Sequence, residues 1–194
     1  MAAAVALLGG CGHVVTNENT YSGVGGVLIN GAEVRSAVQP LGGTGGYSFS
    51  AMVYSAGSGT TDGPFLWRIE ATGREGVHEK LRVHRLKVET RATQRSEWFP
   101  SKQLGKFARF HPLQNDPGKT FAQYQIPGKL EVYPEEDGAI AITADISVES
   151  VERTERRVVR FRMDPEQTRN VDFIFLPGEI VKGGSGPDPR EWRW

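Results

Sequence analysis

The chain is poor in several things, and each shortage removes a class of protein. One cysteine in 194 residues rules out an intramolecular disulfide and any Cys-rich zinc site. The longest apolar stretch, at the amino terminus, falls far short of the ~20 residues a membrane-spanning helix needs. Charge is balanced, 23 Lys+Arg against 23 Asp+Glu, so nothing in the overall field calls for nucleic acid, and none is expected as a partner. A phosphate loop is absent: Gly42-Gly43-Thr44-Gly45-Gly46 is followed by Tyr47-Ser48 rather than Lys-Ser/Thr, and Ser48 stands where a dinucleotide fingerprint needs its third glycine. The cluster therefore reads as a flexible loop. There is no His-Glu-x-x-His pattern and no Gly-x-Ser-x-Gly elbow. No metal site and no cofactor are expected.

What the chain does have is turn formers and short alternating segments. Gly and Pro supply 24 and 11 residues, and 11 of the glycines fall between Ser22 and Gly63. From Phe65 the pattern becomes strand-like. Trp67, Ile69 and Ala71 share a face opposed by Arg68 and Glu70. Thr72–Gly76 reads as a hairpin loop. In 77–90, Leu81 and Val83 hold one parity and Leu86 and Val88 the other, which is the mark of a β-bulge. Ser101 is placed to cap a helical turn or two carrying Leu104, Phe107 and Ala108. Leu130–Tyr133 and Ala139–Val148 read as a hairpin around Pro134–Gly138. In the second of these, Ile140, Ile142, Ala144, Ile146 and Val148 keep one parity throughout. Arg157–Met163 and Val171–Leu176 supply the last two strands.

These segments predict an all-β fold, an antiparallel β-sandwich of immunoglobulin-like type, with a Gly-rich N-terminal segment and a short C-terminal tail. The expected division is a signal remnant at 1–10, a Gly-rich tether with short strands at 11–46, the β-sandwich at 47–182 and a disordered tail at 183–194.

The one cysteine sits in Leu8-Gly9-Gly10-Cys11, directly after the apolar run Ala2–Leu8. This arrangement resembles the lipobox of bacterial lipoproteins. The resemblance covers four residues and the run before them. It implies diacylglycerol attachment at Cys11 and a mature protein beginning there, held to a membrane by acyl chains. Gly12, rather than Asp, after the cysteine implies delivery to the outer membrane. A basic segment ahead of the apolar run is then expected upstream, since Met1–Leu8 carries no Lys or Arg.

Charge is uneven along the chain. Residues 65–130 hold 13 Lys+Arg against 6 Asp+Glu, and 131–155 hold 8 acidic residues against Arg153 alone. Pairing between strands explains such a split, and an anion-facing surface is the sharper reading. The candidate binding surface is the aromatic and basic interleaving of Trp98, Phe99, Lys102, Lys106, Arg109, Phe110 and His111. His78 and His84 lie about 20 Å apart on an extended strand and so share no metal. The expectation is a lipid-anchored envelope protein acting without catalysis as a binding or assembly module, its partner an envelope protein or a polysaccharide. The alternatives are an exported hydrolase using His84, His111 and Asp145, or a structural subunit of a phage or secretion assembly.

Overall fold

The computed structural model describes residues 11–23, 25–51 and 54–175. The expected signal remnant and the expected tail lie outside them. Eleven strands carry the described chain: β1 (Cys11–Gly23), β2 (Val27–Ile29), β3 (Ala32–Ala51), β4 (Tyr54–Arg74), β5 (His78–Thr90), β6 (Ser96–Trp98), β7 (Phe107–Arg109), β8 (His111–Pro112), β9 (Lys119–Gln125), β10 (Ile140–Ser150) and β11 (Thr154–Phe175). A 3-10 turn at Ser101–Gln103 and a single-turn helix α1 (Pro134–Asp137) complete it. The fold is all-β, as the alternation required, and its pairing is mixed because β1 and β4 run parallel.

The chain divides into two compact units. In the first, Cys11–Glu18 of β1 pairs with Tyr54–Thr61 of β4, Cys11 opposite Tyr54 and Glu18 opposite Thr61. Gly42–Gly46, expected as a flexible loop, is extended inside β3.

The second unit spans 19–41 and 62–166 and holds the hydrophobic core. β10 is its centre, antiparallel to β5 on one side and to β11 on the other. Ile142, Ala144, Ile146 and Val148 face inward beside Leu81, Val83 and Leu86 of β5 and Val159, Phe161 and Met163 of β11, all buried. Trp67, Ile69 and Ala71 of β4 and Ala122, Tyr124 and Ile126 of β9 belong to the same cluster. The β5 bulge lies where the parity change put it: Val83 pairs with Ile146 and Arg85 with Asp145, leaving His84 as the extra residue.

β2 and β3 close through Asn30-Gly31, both with positive φ (51° and 81°), the two-residue turn that matches strand twist. Asn30 also fastens this turn to the β10–β11 end. Its Nδ2 donates to the Val148 and Arg153 carbonyls at 3.2 and 3.0 Å. Its carbonyl accepts from His78 Nε2 at 3.0 Å, and His78 Nδ1 accepts the Arg74 N–H at 2.9 Å.

Several expectations are corrected. Ser101 opens only the 3-10 turn and makes no cap, and Phe107 and Ala108 continue as β7, because pairing with Leu81 and Arg82 offers them a ladder. Leu130 forms a lone bridge to Phe65, and Val132 is buried against the core instead of pairing with β10. The two terminal strands are one, since β11 runs unbroken through Asp164–Asn170. Arg68 and Glu70, expected on the face opposite Trp67, Ile69 and Ala71, are each 2% exposed. Glu70 is held there by Arg68 Nε at 2.6 Å and Arg35 Nε at 2.7 Å.

Candidate binding face

The β5 edge away from β10 is closed in three stages. β7 pairs with Lys80–Arg82, β6 pairs with Lys87–Glu89, and between them the Phe99 and Gly105 N–H groups donate to Leu86 and Val83 at 2.9 and 3.3 Å. Edge strands of three residues are poor templates for another chain. This edge is thereby blunted as a template for another strand.

The outward parity of the same strands is rich in cations. Lys80 and Arg82 precede the bulge and Arg85 and Lys87 follow it, with Arg109 on β7 and Arg156, Arg160 and Arg162 on β11. The acidic residues among them are engaged: Glu149 with Lys80 (2.7 Å), Glu89 with Lys87 (3.0 Å) and Arg160 (3.1 Å), Asp145 with both Arg156 nitrogens (2.8 and 2.7 Å). Asp145 is held below the ordinary carboxylate range, chiefly by the Arg156 hydrogen bonds. Arg82, Arg85, Arg109 and Arg162 have no ion-pair partner among the described residues.

Two aromatic rings stand on this face. Trp98 is 60% exposed, with Arg85 and Lys87 at 5.5 and 5.9 Å from its ring centre. Phe107 is 43% exposed, with Lys80, Arg82 and Arg109 at 5.6, 5.9 and 5.8 Å. Cross-strand register makes both clusters, since Trp98 lies opposite Lys87 and Phe107 opposite Arg82.

The residues named from sequence divide accordingly. Trp98 and Arg109 are on the face, and Lys102, Lys106 and His111 are exposed nearby in the chain. Phe99 and Phe110 are half-buried and lie off this face. Phe99 turns inward to meet Trp67 edge-on at 5.6 Å, and Phe110 packs on His78 at 5.5 Å, because each follows a short strand where the next side chain points to the core. The missed contributors are the cations of β5 and β11. Their signal was present in the alternation of Arg160 and Arg162 with Phe161 and Met163. The Cys11 side chain lies outside the described residues.

The residues considered for hydrolysis part company as well. His84 Nε2 meets Ser147 Oγ at 2.9 Å, and burial, with Arg156 next, lowers the imidazole's pKa. Asp145 is engaged by Arg156, and His111 sits on β8 opposite Phe121. Acyl transfer needs a cleft and oxyanion donors beside the nucleophile. Ser147 lies in mid-strand between Arg82 and Arg156, and neither His84 nor Ser147 lines the two described cavities. The pair satisfies the polar groups of the bulge. No group of three His, Cys, Asp or Glu suited to a metal occurs among the described residues.

Fold and face together define an all-β domain presenting a basic sheet surface with cation-flanked aromatic rings. No family model, curated protein or solved structure matches the chain.

Proposed function

We propose that the protein is a non-enzymatic binding module of the bacterial envelope, a sandwich domain anchored by lipid at Cys11, and that its ligand is an anionic polysaccharide. One observation carries the ligand reading: two exposed aromatic rings, each flanked by cations, stand on one sheet face where Arg82, Arg85, Arg109 and Arg162 have no ion-pair partner among the described residues. Rings of this kind stack on the apolar faces of sugars, and guanidinium groups take carboxylate, sulfate or phosphate in a two-pronged geometry. The anchor and the outer-membrane address rest on Leu8-Gly9-Gly10-Cys11 and Gly12.

Retention on immobilised heparin, a polyanionic glycan, tests the ligand. The protein elutes at raised salt, and Arg82→Gln with Phe107→Ala elutes substantially earlier. Equal elution of the two proteins rejects the face as the site. Preference for anionic vesicles over the glycan would reassign it to lipid headgroups. Intact mass of the membrane fraction, beside Cys11→Ala, tests the anchor: diacylglycerol mass on a chain starting at Cys11 is expected, and a soluble unprocessed chain would remove the envelope reading.

A further inference from the structure

We infer that the groove where β6, β10 and β11 meet is a seat for a phosphorylated sugar. The inference deepens the polysaccharide reading and rests on it for the nature of the ligand, while using residues of its own. The groove measures about 650 Å³, within the size range of small-molecule sites, and four arginines line it: Arg91, Arg95, Arg160 and Arg162. Glu89 and Asp164 share its wall. Arg160 is engaged by Glu89 at 3.1 Å, and Arg95 donates to the Glu131 carbonyl and pairs with Asp137 and Glu97 at 3.9 and 4.0 Å. Arg91 and Arg162 are exposed and have no ion-pair partner among the described residues.

Arg91 and Arg162, the two lining arginines without an ion-pair partner among the described residues, offer their charge to one phosphate monoester, about −1.5 to −2 near neutrality. Planar guanidinium groups suit phosphate oxygens because each offers paired N–H donors in a fixed fork. A chain of closely spaced anions would run onto Glu89 and Asp164, so the groove fits a single phosphate group better than a continuous polyanion. Ser96 of the groove and Trp98 lie on the same side of β6, about 7 Å apart. A pyranose attached to the phosphate therefore reaches the exposed indole. Gln94 and Ser96 line the same groove, are exposed, and offer its hydroxyls hydrogen-bonding partners.

Calorimetric titration of the full chain with glucose 6-phosphate, inorganic phosphate and glucose tests this. Glucose 6-phosphate is expected to bind at least fivefold tighter than inorganic phosphate, and glucose not to bind. Arg162→Gln and Arg91→Gln each weaken the sugar phosphate at least tenfold. Trp98→Ala brings it down to the level of inorganic phosphate. Lys119→Gln, on β9 and outside the groove, changes nothing, and unchanged thermal melts show that every variant is folded. Full-strength binding by Arg91→Gln and Arg162→Gln, no preference over inorganic phosphate, or no binding at all overturns the assignment. The two readings fail separately. Heparin retention sensitive to Arg82→Gln without sugar-phosphate binding removes only the groove. The converse result removes only the polymer.

Discussion

Arginine occurs in two settings in this domain, and the contrast separates structure from function. On β4, Arg68 is buried beside Glu70, which Arg35 also holds. On the β5–β10–β11 face, Arg82 and Arg162 have no ion-pair partner among the described residues. Taking a charge out of water is tolerated only when a partner and hydrogen bonds replace the lost hydration, so the first setting is a requirement of folding. A solvated arginine has no such requirement. A concentration of them raises self-repulsion and gives the fold nothing, and an external anion relieves it.

The largest effect that tests this contrast is at Glu70. Glu70→Ala leaves Arg68 buried without its carboxylate and is expected to cost about 3–5 kcal/mol in urea unfolding. Replacing both partners, Arg68→Met with Glu70→Leu, should recover much of that loss, since apolar side chains fill the space with no charge to compensate. A loss below about 1 kcal/mol for Glu70→Ala would show that water reaches the pair, and the contrast would collapse.

Arg82→Gln sharpens the comparison from the other side. Its stability is expected to stay within about 0.5 kcal/mol of the parent, as for surface substitutions away from packed features. Glycan retention falls in the same protein. A variant that loses stability as much as retention would mean that the Phe107 cation cluster holds β7 in place rather than offering a surface.

The β-class, the bulge in β5 and the inward face of β10 were legible because strand periodicity reports burial on one face directly. Arg68 and Glu70 were not legible. Alternation does not say what covers a charged parity, and Arg35 reaches Glu70 from β3, 35 residues earlier in the chain. The binding face was half legible for a related reason. Trp98 and Arg109 lie in a local run of aromatic and basic residues, whereas Arg160 and Arg162 join them only through the β10–β11 register. Phe99 and Phe110 fall off the face because a residue's parity beyond a three-residue strand depends on where that strand begins and ends. Neither boundary is marked in the sequence.

The smallest expected effect lies at the bulge, between the two settings. His84 is half-buried, bonded to Ser147 and bordered by Arg156 and Arg82, so its folded pKa falls below the usual 6.5. The unfolded chain therefore takes up this proton first, and stability declines as pH drops from about 6.5 toward the lowered value. Asp145 acts in a separate window. Its stabilisation is complete above the ordinary carboxylate pKa near 3.8 and is lost only as pH falls through its depressed folded value. Unfolding free energies measured from pH 7 to 5 should therefore slope downward in the parent and flatten in His84→Gln, with Asp145 silent over that range. An unchanged slope in the variant would place the proton uptake on another group. The same protonation adds a cation to the face beside Arg82 and Arg156, so heparin retention should strengthen slightly over the interval in the parent and not in the variant. A gain in ligand retention at a cost in stability, produced by one imidazole, is what a face kept electrostatically unsatisfied for an external anion requires.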